Sequence, residues 1–157
     1  MNEFTVCEMQ YTGKENDIND FNVISFDEKY WLQYKQIYNE CFYEMREALD
    51  VKPYDFYSDI EQIKDKTENI FLFINDNIII GSVGCYGNEI DDLIVNKKYQ
   101  HNGYGKKLLL WAINYIRKYS NDPVTLHVAD WNKNALKLYK DNGFVITKTE
   151  KINRDQE

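Results

Sequence analysis

The chain has 157 residues, 43% of them hydrophobic and 15% aromatic, and a formal net charge of −7. This length predicts a single domain over 1–157, and the acidic balance argues against general binding of nucleic acids, which usually requires a basic face. No apolar run approaches the roughly 20 residues that cross a bilayer, so no membrane partner is expected. Three widely spaced cysteines predict neither a disulfide framework nor a zinc site. Since a signal-peptide pattern is also lacking, we expect a cytoplasmic protein.

The first third of the chain predicts two strands and a long helix. Residues 4–11 form the first candidate strand, and a polar connection leads to a second one over 21–26. From about 27–49, apolar side chains recur at helical spacing. Pro53 closes this region, and 59–66 predicts one or two further helical turns.

The rest of the chain predicts a hairpin followed by alternating strands and helices. An Asn75-Asp76-Asn77 turn between two β-rich runs is typical of a β-hairpin. Predicted strands cover 70–74, 78–86, 89–95, 124–128 and 144–149. Predicted helices cover 103–119 and 132–142. An antiparallel meander followed by this alternation predicts an α/β (α+β) protein with a mixed sheet.

The segment 100–105, with the sequence QHNGYG, lies between a predicted strand and a predicted helix. Glycines let the backbone approach a ligand closely, and the first N–H groups of a helix have no partner within it. These free donors and the positive end of the helix dipole favour a phosphate here. A Rossmann fingerprint would need a third glycine at Leu108, and a Walker loop would need a hydroxyl at Lys107. The spacing therefore predicts a phosphate-binding loop of another kind.

A second motif lies downstream of this glycine loop. It consists of Val128, Asn132, Ala135, Leu138, Tyr139, Gly143 and Phe144. Together with Q-x-x-G-x-G after a strand, this pattern resembles the GNAT superfamily of acyl-CoA N-acyltransferases over about 20–150. The resemblance implies a GNAT-like fold with a mixed, mostly antiparallel sheet, helices on both faces and a splayed central strand pair. It leaves 1–20 unexplained, as an N-terminal extension or a first strand.

The resemblance implies that acetyl-CoA is a co-substrate. It assigns the pyrophosphate to the backbone of the glycine loop, and the pantetheine arm to backbone groups exposed where the strand ending at Val95 splays from the strand starting near Val124. The residues that it places at the cofactor are Leu93, Val95, Gln100, His101, Asn102, Gly103, Tyr104, Gly105, Lys106, Asn132 and Ala135. No His, Cys and carboxylate cluster has metal-ligand spacing, so no metal is expected.

The same resemblance implies direct attack of an amine on the thioester in a ternary complex. Tyr139 matches the family's tyrosine that protonates the leaving sulfur, and a core role for this aromatic side chain stays open. Glu89 matches a base glutamate of the histone-acetyltransferase branch. Asp91 shares the strand face of Glu89 by period-2 alternation, while Asp92 faces the other way. The base stays open between Glu89, Asp91 and water alone, and the Val95 N–H is the expected oxyanion donor.

The sequence defines the acceptor less closely than the cofactor. His101 is expected to contribute only its backbone, and His127 to be packed in a strand. Aromatic and acidic residues cluster over 54–59, a region that commonly lines the acceptor site in this family, and carboxylates beside aromatic faces suit a cation. We therefore expect a small-molecule primary amine. A non-catalytic acyl-CoA-binding or sensing module, and an acetyltransferase for a protein or aminoacyl-tRNA amine, stay open, as do a monomer and a homodimer.

Overall fold

The computed structural model describes residues 3–14 and 22–153 as one seven-stranded sheet with three α-helices. The strands are β1 (Glu3–Tyr11), β2 (Val23–Ser25), β3 (Ile70–Asn75), β4 (Ile78–Tyr86), β5 (Glu89–Val95), β6 (Thr125–Ala129) and β7 (Phe144–Asn153). The helices are α1 (Trp31–Ala48), α2 (Tyr104–Arg117) and α3 (Lys133–Asp141). Short 3-10 segments cover Glu28–Tyr30, Ile60–Ile63, Thr67–Asn69 and Lys97–Tyr99. The predicted strand over 21–26 is shortened to β2, and the polar connection before it lies largely outside the described residues.

The sheet has the order β2-β3-β4-β5-β6-β1-β7, and all neighbours are antiparallel except β5 and β6. The parallel pair is connected through α2, since parallel neighbours require a crossover. These two strands pair only at Glu89 with Thr125 and at Ile90 with Leu126, and beyond these residues they diverge. This confirms the predicted mixed, mostly antiparallel sheet with a splayed central pair. The divergence opens a gap at the carboxyl end of β5.

The first strand, β1, lies between β6 and β7 and is antiparallel to both. Alternate side chains along it, those of Cys7, Met9 and Tyr11, are buried. Because β6 and β7 are not neighbours in the described sheet, β1 is the strand that links them. Within the segment that the family resemblance leaves unexplained, Glu3–Tyr11 is therefore an internal strand and part of the core.

Helices cover both faces of the sheet, as predicted. The core under α2 and α3 includes Met9, Val83, Ile90, Leu109, Ile113 and Tyr139. The core under α1 includes Tyr34, Ile37, Tyr38, Leu72, Ile79 and Ile94. None of the helices in the described ranges is long and apolar enough to cross a membrane.

A β-bulge in β5 changes the face that its side chains meet. The register between β4 and β5 shifts between Ser82 and Gly84, and Asp92 has a left-handed backbone with φ of 49°. Ile90 belongs to the core under α2, whereas Ile94 belongs to the core under α1. Residues four apart in a regular strand face the same side, so the extra residue of the bulge reverses the pattern.

The close packing of α2 on β4 at Gly81 leaves no room for a side chain. A Cβ there would lie 2.6 Å from Leu108 Cδ1 and 2.8 Å from the Ile94 carbonyl oxygen. We expect Gly81→Ala to lower the free energy of unfolding by about 2–3 kcal/mol, because the backbone oxygen has nowhere to move. Gly105→Ala is the matched control, since its Cβ would approach Leu138 only to 3.6 Å. Urea unfolding measures both, and equal losses would contradict the packing argument.

Candidate functional site

The glycine loop leads from β5 through the 3-10 turn Lys97–Tyr99 to the start of α2. His101 and Gly103 have left-handed backbones, with φ of 68° and 82°. Among the described residues, no acceptor faces the backbone N–H groups of 100–106. Successive free N–H groups in such a turn form a concave anion site, and the positive end of the α2 dipole adds to it. The loop therefore fits a pyrophosphate.

Two side-chain amides hold the loop in this shape. Gln100 Nε2 donates to the Val95 carbonyl at 3.1 Å. Asn102 Nδ2 donates to the carbonyls of Tyr99 at 3.1 Å and of Gln100 at 3.2 Å. Both amides donate to backbone carbonyl groups, so neither side chain occupies a backbone N–H group of the loop. These N–H groups are left for a ligand.

A cleft of about 800 Å³ extends from the glycine loop between α1, the splayed end of β5 and α3; we call it the long cleft. The residues assigned to the cofactor from sequence that line it are Leu93, Val95, Gln100, His101, Gly103, Tyr104, Gly105, Asn132 and Ala135. Asn102 and Lys106 are not among its lining residues. Sequence reasoning missed the wall formed by Cys41, Phe42 and Met45 of α1, and the half-exposed Trp131 before α3.

The end of β5 turns backbone groups towards the splayed gap. The Asn96 N–H donates to the Ile80 carbonyl at 2.8 Å, so these residues form a hydrogen-bonded pair with β4. Bonded and open positions alternate along an antiparallel pair, which directs the backbone groups of Val95 away from β4. Its carbonyl accordingly accepts from Cys41 Sγ at 3.3 Å and from Gln100 Nε2 at 3.1 Å. The Val95 N–H therefore faces the gap.

A second cavity, of about 290 Å³, continues from the long cleft and is called the acidic pocket. The residues that line both cavities are Phe42, Met45, Leu93, Asn132 and Ala135. Beyond this junction the acidic pocket is bordered by Phe4, Val6, Arg46, Asp91, Asp92, His127 and Tyr139. Two ligands, one in each cavity, would meet at the splay of β5 and β6.

Tyr139 borders the acidic pocket from α3. It is only 8% exposed, and its ring packs against Phe144 with 5.9 Å between ring centres. Within 3–14 and 22–153, its hydroxyl has no hydrogen-bond partner. Burial, followed by the negative charges of Asp91 and Asp92, raises the pKa of this phenol above its usual value. Tyr139 therefore stays protonated at neutral pH, and its hydroxyl can donate a hydrogen bond into the pocket.

Asp91 and Asp92 border the same pocket because of the bulge in β5. The expectation that Asp92 faces away from Asp91 is wrong, since period-2 alternation fails at the extra residue. Burial raises the pKa of Asp91, and burial together with the charge of Asp91 raises the pKa of Asp92 to about 7. The Tyr38 hydroxyl donates to Asp92 Oδ1 at 3.3 Å. The other ionisable groups in electrostatic contact with Asp92 are Tyr34, Arg46, Tyr57, Lys66, Tyr86 and Tyr139.

Glu89 approaches the pocket through His127. Its Oε2 lies 2.9 Å from His127 Nδ1, and His127 Nε2 lies 3.6 Å from Glu8 Oε1. The His127 side chain is 49% exposed, so the expectation that it is packed is wrong. Glu89 is not among the lining residues of either cavity, and its role as a base stays a prediction.

The aromatic and acidic segment 54–59 has structural contacts instead of lining these cavities. The Tyr54 hydroxyl donates to Asp50 Oδ1 at 2.7 Å, Tyr57 is buried under α1, and Asp59 caps the Ile60–Ile63 turn. In the part of the chain that the structure describes, no group of three or more His, Cys, Asp or Glu side chains is arranged to hold a metal ion.

Comparison with protein families decides what kind of protein has this site. A family model described as "Acetyltransferase (GNAT) family" matches residues 31–144. The chain belongs to the GNAT family of acetyltransferases. The matched range contains α1, β5, the glycine loop and α3, which together form the long cleft. The general reaction of GNAT proteins is acetyl transfer from acetyl-CoA, which agrees with a loop that fits a pyrophosphate.

Solved structures share this GNAT fold at low sequence identity. A GNAT acetyltransferase from Colwellia psychrerythraea is 10% identical, with a TM-score of 0.72 over 94% of this chain and 54% of that chain. A GNAT-family protein from Novosphingobium aromaticivorans is 14% identical, with a TM-score of 0.66 over 95% of this chain and 62% of that chain. A PaiA N-acetyltransferase from Thermoplasma acidophilum, in complex with coenzyme A, is 17% identical, with a TM-score of 0.62 over 84% of this chain and 94% of that chain. This chain spans less than two thirds of the first two proteins, and the likeness concerns the fold.

Proposed function

We propose that this GNAT protein transfers an acetyl group from acetyl-CoA to a small-molecule primary amine, by direct attack within a ternary complex. The observation that carries the proposal is the hydroxyl of Tyr139, which has no partner among the described residues and belongs to a pocket continuous with the long cleft. A donor in the long cleft and an acceptor in the acidic pocket would meet near this hydroxyl.

The long cleft supports acetyl-CoA as the donor. The free N–H groups of 100–106 are suited to a pyrophosphate, and such binding uses backbone atoms more than particular side chains. Leu93 and Val95 lie where β5 has no pairing with β6, so their backbone groups are available to a pantetheine arm. Trp131, which is 43% exposed, offers an apolar face at the same cleft. The donor supplies the thioester on which the amine acts.

Tyr139 is the acid in this proposal. The amine nitrogen attacks the thioester carbonyl carbon, the carbon–sulfur bond breaks, and Tyr139 shares its phenolic proton with the departing sulfur. Because the pKa of the phenol is raised, the proton stays on Tyr139 until the sulfur gains negative charge. The Val95 N–H, which faces the gap, donates to the carbonyl oxygen as negative charge develops there. Tyr139 regains a proton from solvent after turnover.

Two groups are candidates for the base that takes the amine proton. Glu89, chosen from the family motif, acts through His127, whose Nδ1 lies 2.9 Å from its carboxylate. Asp92 borders the acidic pocket directly, and its charge acts on Tyr139. A carboxyl with a pKa of about 7 is matched to proton removal near neutral pH. We therefore place Asp92 first and Glu89 second.

Calorimetric titration with acetyl-CoA tests the donor half of the proposal. We expect micromolar affinity for acetyl-CoA, and weaker binding of dephospho-CoA and ATP, because neither of these presents the whole donor to the cleft. No detectable binding of acetyl-CoA would overturn the proposal. Tight binding without acetylation of any amine would instead favour a non-catalytic acyl-CoA-binding module.

Variants of the glycine loop test whether its backbone does the binding. Gly103 has φ of 82°, so we expect Gly103→Val to weaken acetyl-CoA binding about tenfold, the ratio that matches the roughly 1–2 kcal/mol cost of a left-handed backbone. His101→Gly is the control, because it keeps the N–H and permits the observed φ of 68°. The affinity of His101→Gly for acetyl-CoA should stay within about twofold of the wild-type value. A large loss with His101→Gly would show that the imidazole takes part in binding.

A further inference from the structure

We propose that the acidic pocket selects an aliphatic amine with a second positive charge, and that Asp91 binds this second charge while Asp92 faces the reacting nitrogen. This inference rests on the proposed function and names the chemical class of its acceptor. Three observations carry it: two adjacent carboxylates, largely apolar walls, and the Tyr139 hydroxyl, which is unpartnered in the described chain on a side chain that is 8% exposed.

The walls of the acidic pocket suit a hydrocarbon chain. Phe4 and Val6 of β1, Phe42 of α1, Leu49 after it and Val128 of β6 all border the cavity. The transfer of methylene groups from water to such a surface is favourable. A volume of about 290 Å³ holds a small molecule. The apolar part of the acceptor is therefore expected to be a short aliphatic chain.

The guanidinium group that borders the pocket is already engaged. Arg46 Nη1 donates to the carbonyl oxygens of Val51 at 3.4 Å and Pro53 at 3.2 Å. The guanidinium carbon also lies 4.3 Å from the centre of the Phe56 ring. These contacts fix Arg46 beneath the segment after α1. The positive charge of Arg46 also acts on the Asp92 carboxyl, whose pKa it lowers, so an acceptor that carries its own carboxylate would compete with Asp92 for this guanidinium.

The other cationic groups near the pocket are also placed against protein partners. His127 lies between the carboxylates of Glu89 and Glu8, at 2.9 Å and 3.6 Å. Lys66 Nζ lies 5.9 Å from the centre of the Tyr57 ring, and this lysine is not among the residues that line the pocket. The glutamates at the rim add negative charge, which attracts cations and repels anions.

The reaction itself explains why an acceptor with one positive charge cannot pair with both carboxylates. The attacking nitrogen must be neutral, so an ammonium group gives one proton to the base before or during attack, and its nitrogen releases a second proton to solvent as the amide forms. With Asp92 taking that proton, Asp91 would keep a negative charge on an exposed side chain at the border of the pocket. A second ammonium group on the same molecule pairs with Asp91 throughout the reaction, and close ion pairs in partly desolvated sites contribute to affinity and selectivity.

Three amines with the same number of carbon atoms test this inference: diaminobutane, butylamine and aminobutyrate. They carry a second positive charge, no second charge and a negative charge, respectively. With saturating acetyl-CoA and thiol release as the readout, we expect kcat/KM to fall in that order, by about tenfold or more per step. The advantage of diaminobutane over butylamine should also shrink as salt is raised from about 0.02 M to about 0.5 M.

Asp91→Asn should remove the preference for a second positive charge. We expect the ratio of kcat/KM for diaminobutane to kcat/KM for butylamine to fall to about one; the charge of Asp91 also raises the pKa of Asp92, so a change common to both amines is not part of this test. Asp65→Asn is the matched control, because it removes one negative charge from an exposed residue outside both cavities. Acetyl-CoA affinity, measured by calorimetry, shows whether each variant is folded. The salt dependence of the wild-type preference stands even if Asp91→Asn does not fold.

The outcomes separate this inference from the proposed function. If acetyl-CoA binds and butylamine or aminobutyrate equals diaminobutane as an acceptor, the inference is overturned and the acetyltransferase stands. A preference for diaminobutane that survives Asp91→Asn also overturns the role of Asp91. If acetyl-CoA does not bind, or no amine is acetylated, the proposed function fails and the inference fails with it.

Discussion

Tyr139→Phe is expected to lower kcat by about 10²–10⁴-fold, the usual contribution of a positioned acid, while acetyl-CoA affinity stays the same. The side chain is 8% exposed and borders the acidic pocket, so the variant removes one oxygen and leaves the ring packed against Phe144. The hydroxyl has no partner among the described residues, so its loss should not lower the free energy of unfolding. Thiol release, calorimetry and urea unfolding measure the three quantities.

Tyr119→Phe is the matched control for this variant. Its side chain is 76% exposed, just after α2, and lies outside both cavities, so kcat should be unchanged. If Tyr139→Phe retains wild-type kcat, Tyr139 is a core aromatic side chain and the acid lies elsewhere. If the variant instead loses stability together with activity, the hydroxyl has a structural partner and the loss of rate cannot be assigned to proton transfer.

Asp92→Asn is expected to remove the acidic limb of the pH profile. As a base, Asp92 must be ionised, so kcat/KM of the wild type should rise as the pH passes about 7. A second rise is expected nearer to pH ~10, where the acceptor amine itself loses its proton. The variant should keep that second rise, lose the first and react about 10²-fold or more slowly. Rates of thiol release between about pH 5 and pH 10 test this.

Glu89→Gln decides between the two candidate bases. If Asp92 is the base, Glu89→Gln keeps the rise near pH 7. If Glu89→Gln loses that rise and Asp92→Asn keeps it, the base is the pair of Glu89 and His127, as the family motif predicts. Both substitutions keep the size of the side chain and its ability to accept a hydrogen bond.

The carboxyl group of Asp92 is also expected to lower the stability of the folded protein as the pH rises. The pKa of Asp92 is raised to about 7 in the folded protein, against about 3.9 in an unfolded chain. Between these values the folded state holds a proton that the unfolded state has lost, so stability falls as the pH rises through this window. Asp92→Asn should therefore raise the melting temperature relative to wild type above pH ~7, and this gain should vanish below pH ~4. If Asp92 has a purely structural role, Asp92→Asn should have a lower melting temperature than wild type both above pH ~7 and below pH ~4.

The position and shape of the glycine loop were predictable from sequence because they depend on local backbone. Gly103 permits a left-handed residue, and the start of α2 leaves N–H groups free whatever the side chains are. The second motif similarly placed Tyr139 on α3 at the site. Both features need only short-range spacing, so the sequence pattern was sufficient to find them.

The acidic pocket could not be predicted because it depends on long-range packing. Phe4 and Val6 reach the acidic pocket only because β1 pairs with β6 and β7, and no local pattern specifies such partners. The bulge in β5 brings Asp92 to the pocket against the alternation rule. Its left-handed backbone leaves no clear signal in the sequence, although Asp is one of the residues that tolerate it. The segment 54–59 had the expected composition, but its side chains serve packing and a cap.

The position of β1 has a consequence for how the chain folds. This strand is synthesised before its partners, β6 and β7, and most of the described chain lies between it and them. Contacts between such distant segments form slowly, because a long loop must close before they are gained. Until they are made, the apolar side chains of β1 have no partner strand to cover them, and exposed surface of this kind promotes aggregation during folding. The acidic pocket, whose wall includes Phe4 and Val6, is thus assembled late, after the glycine loop and α2 have had time to form.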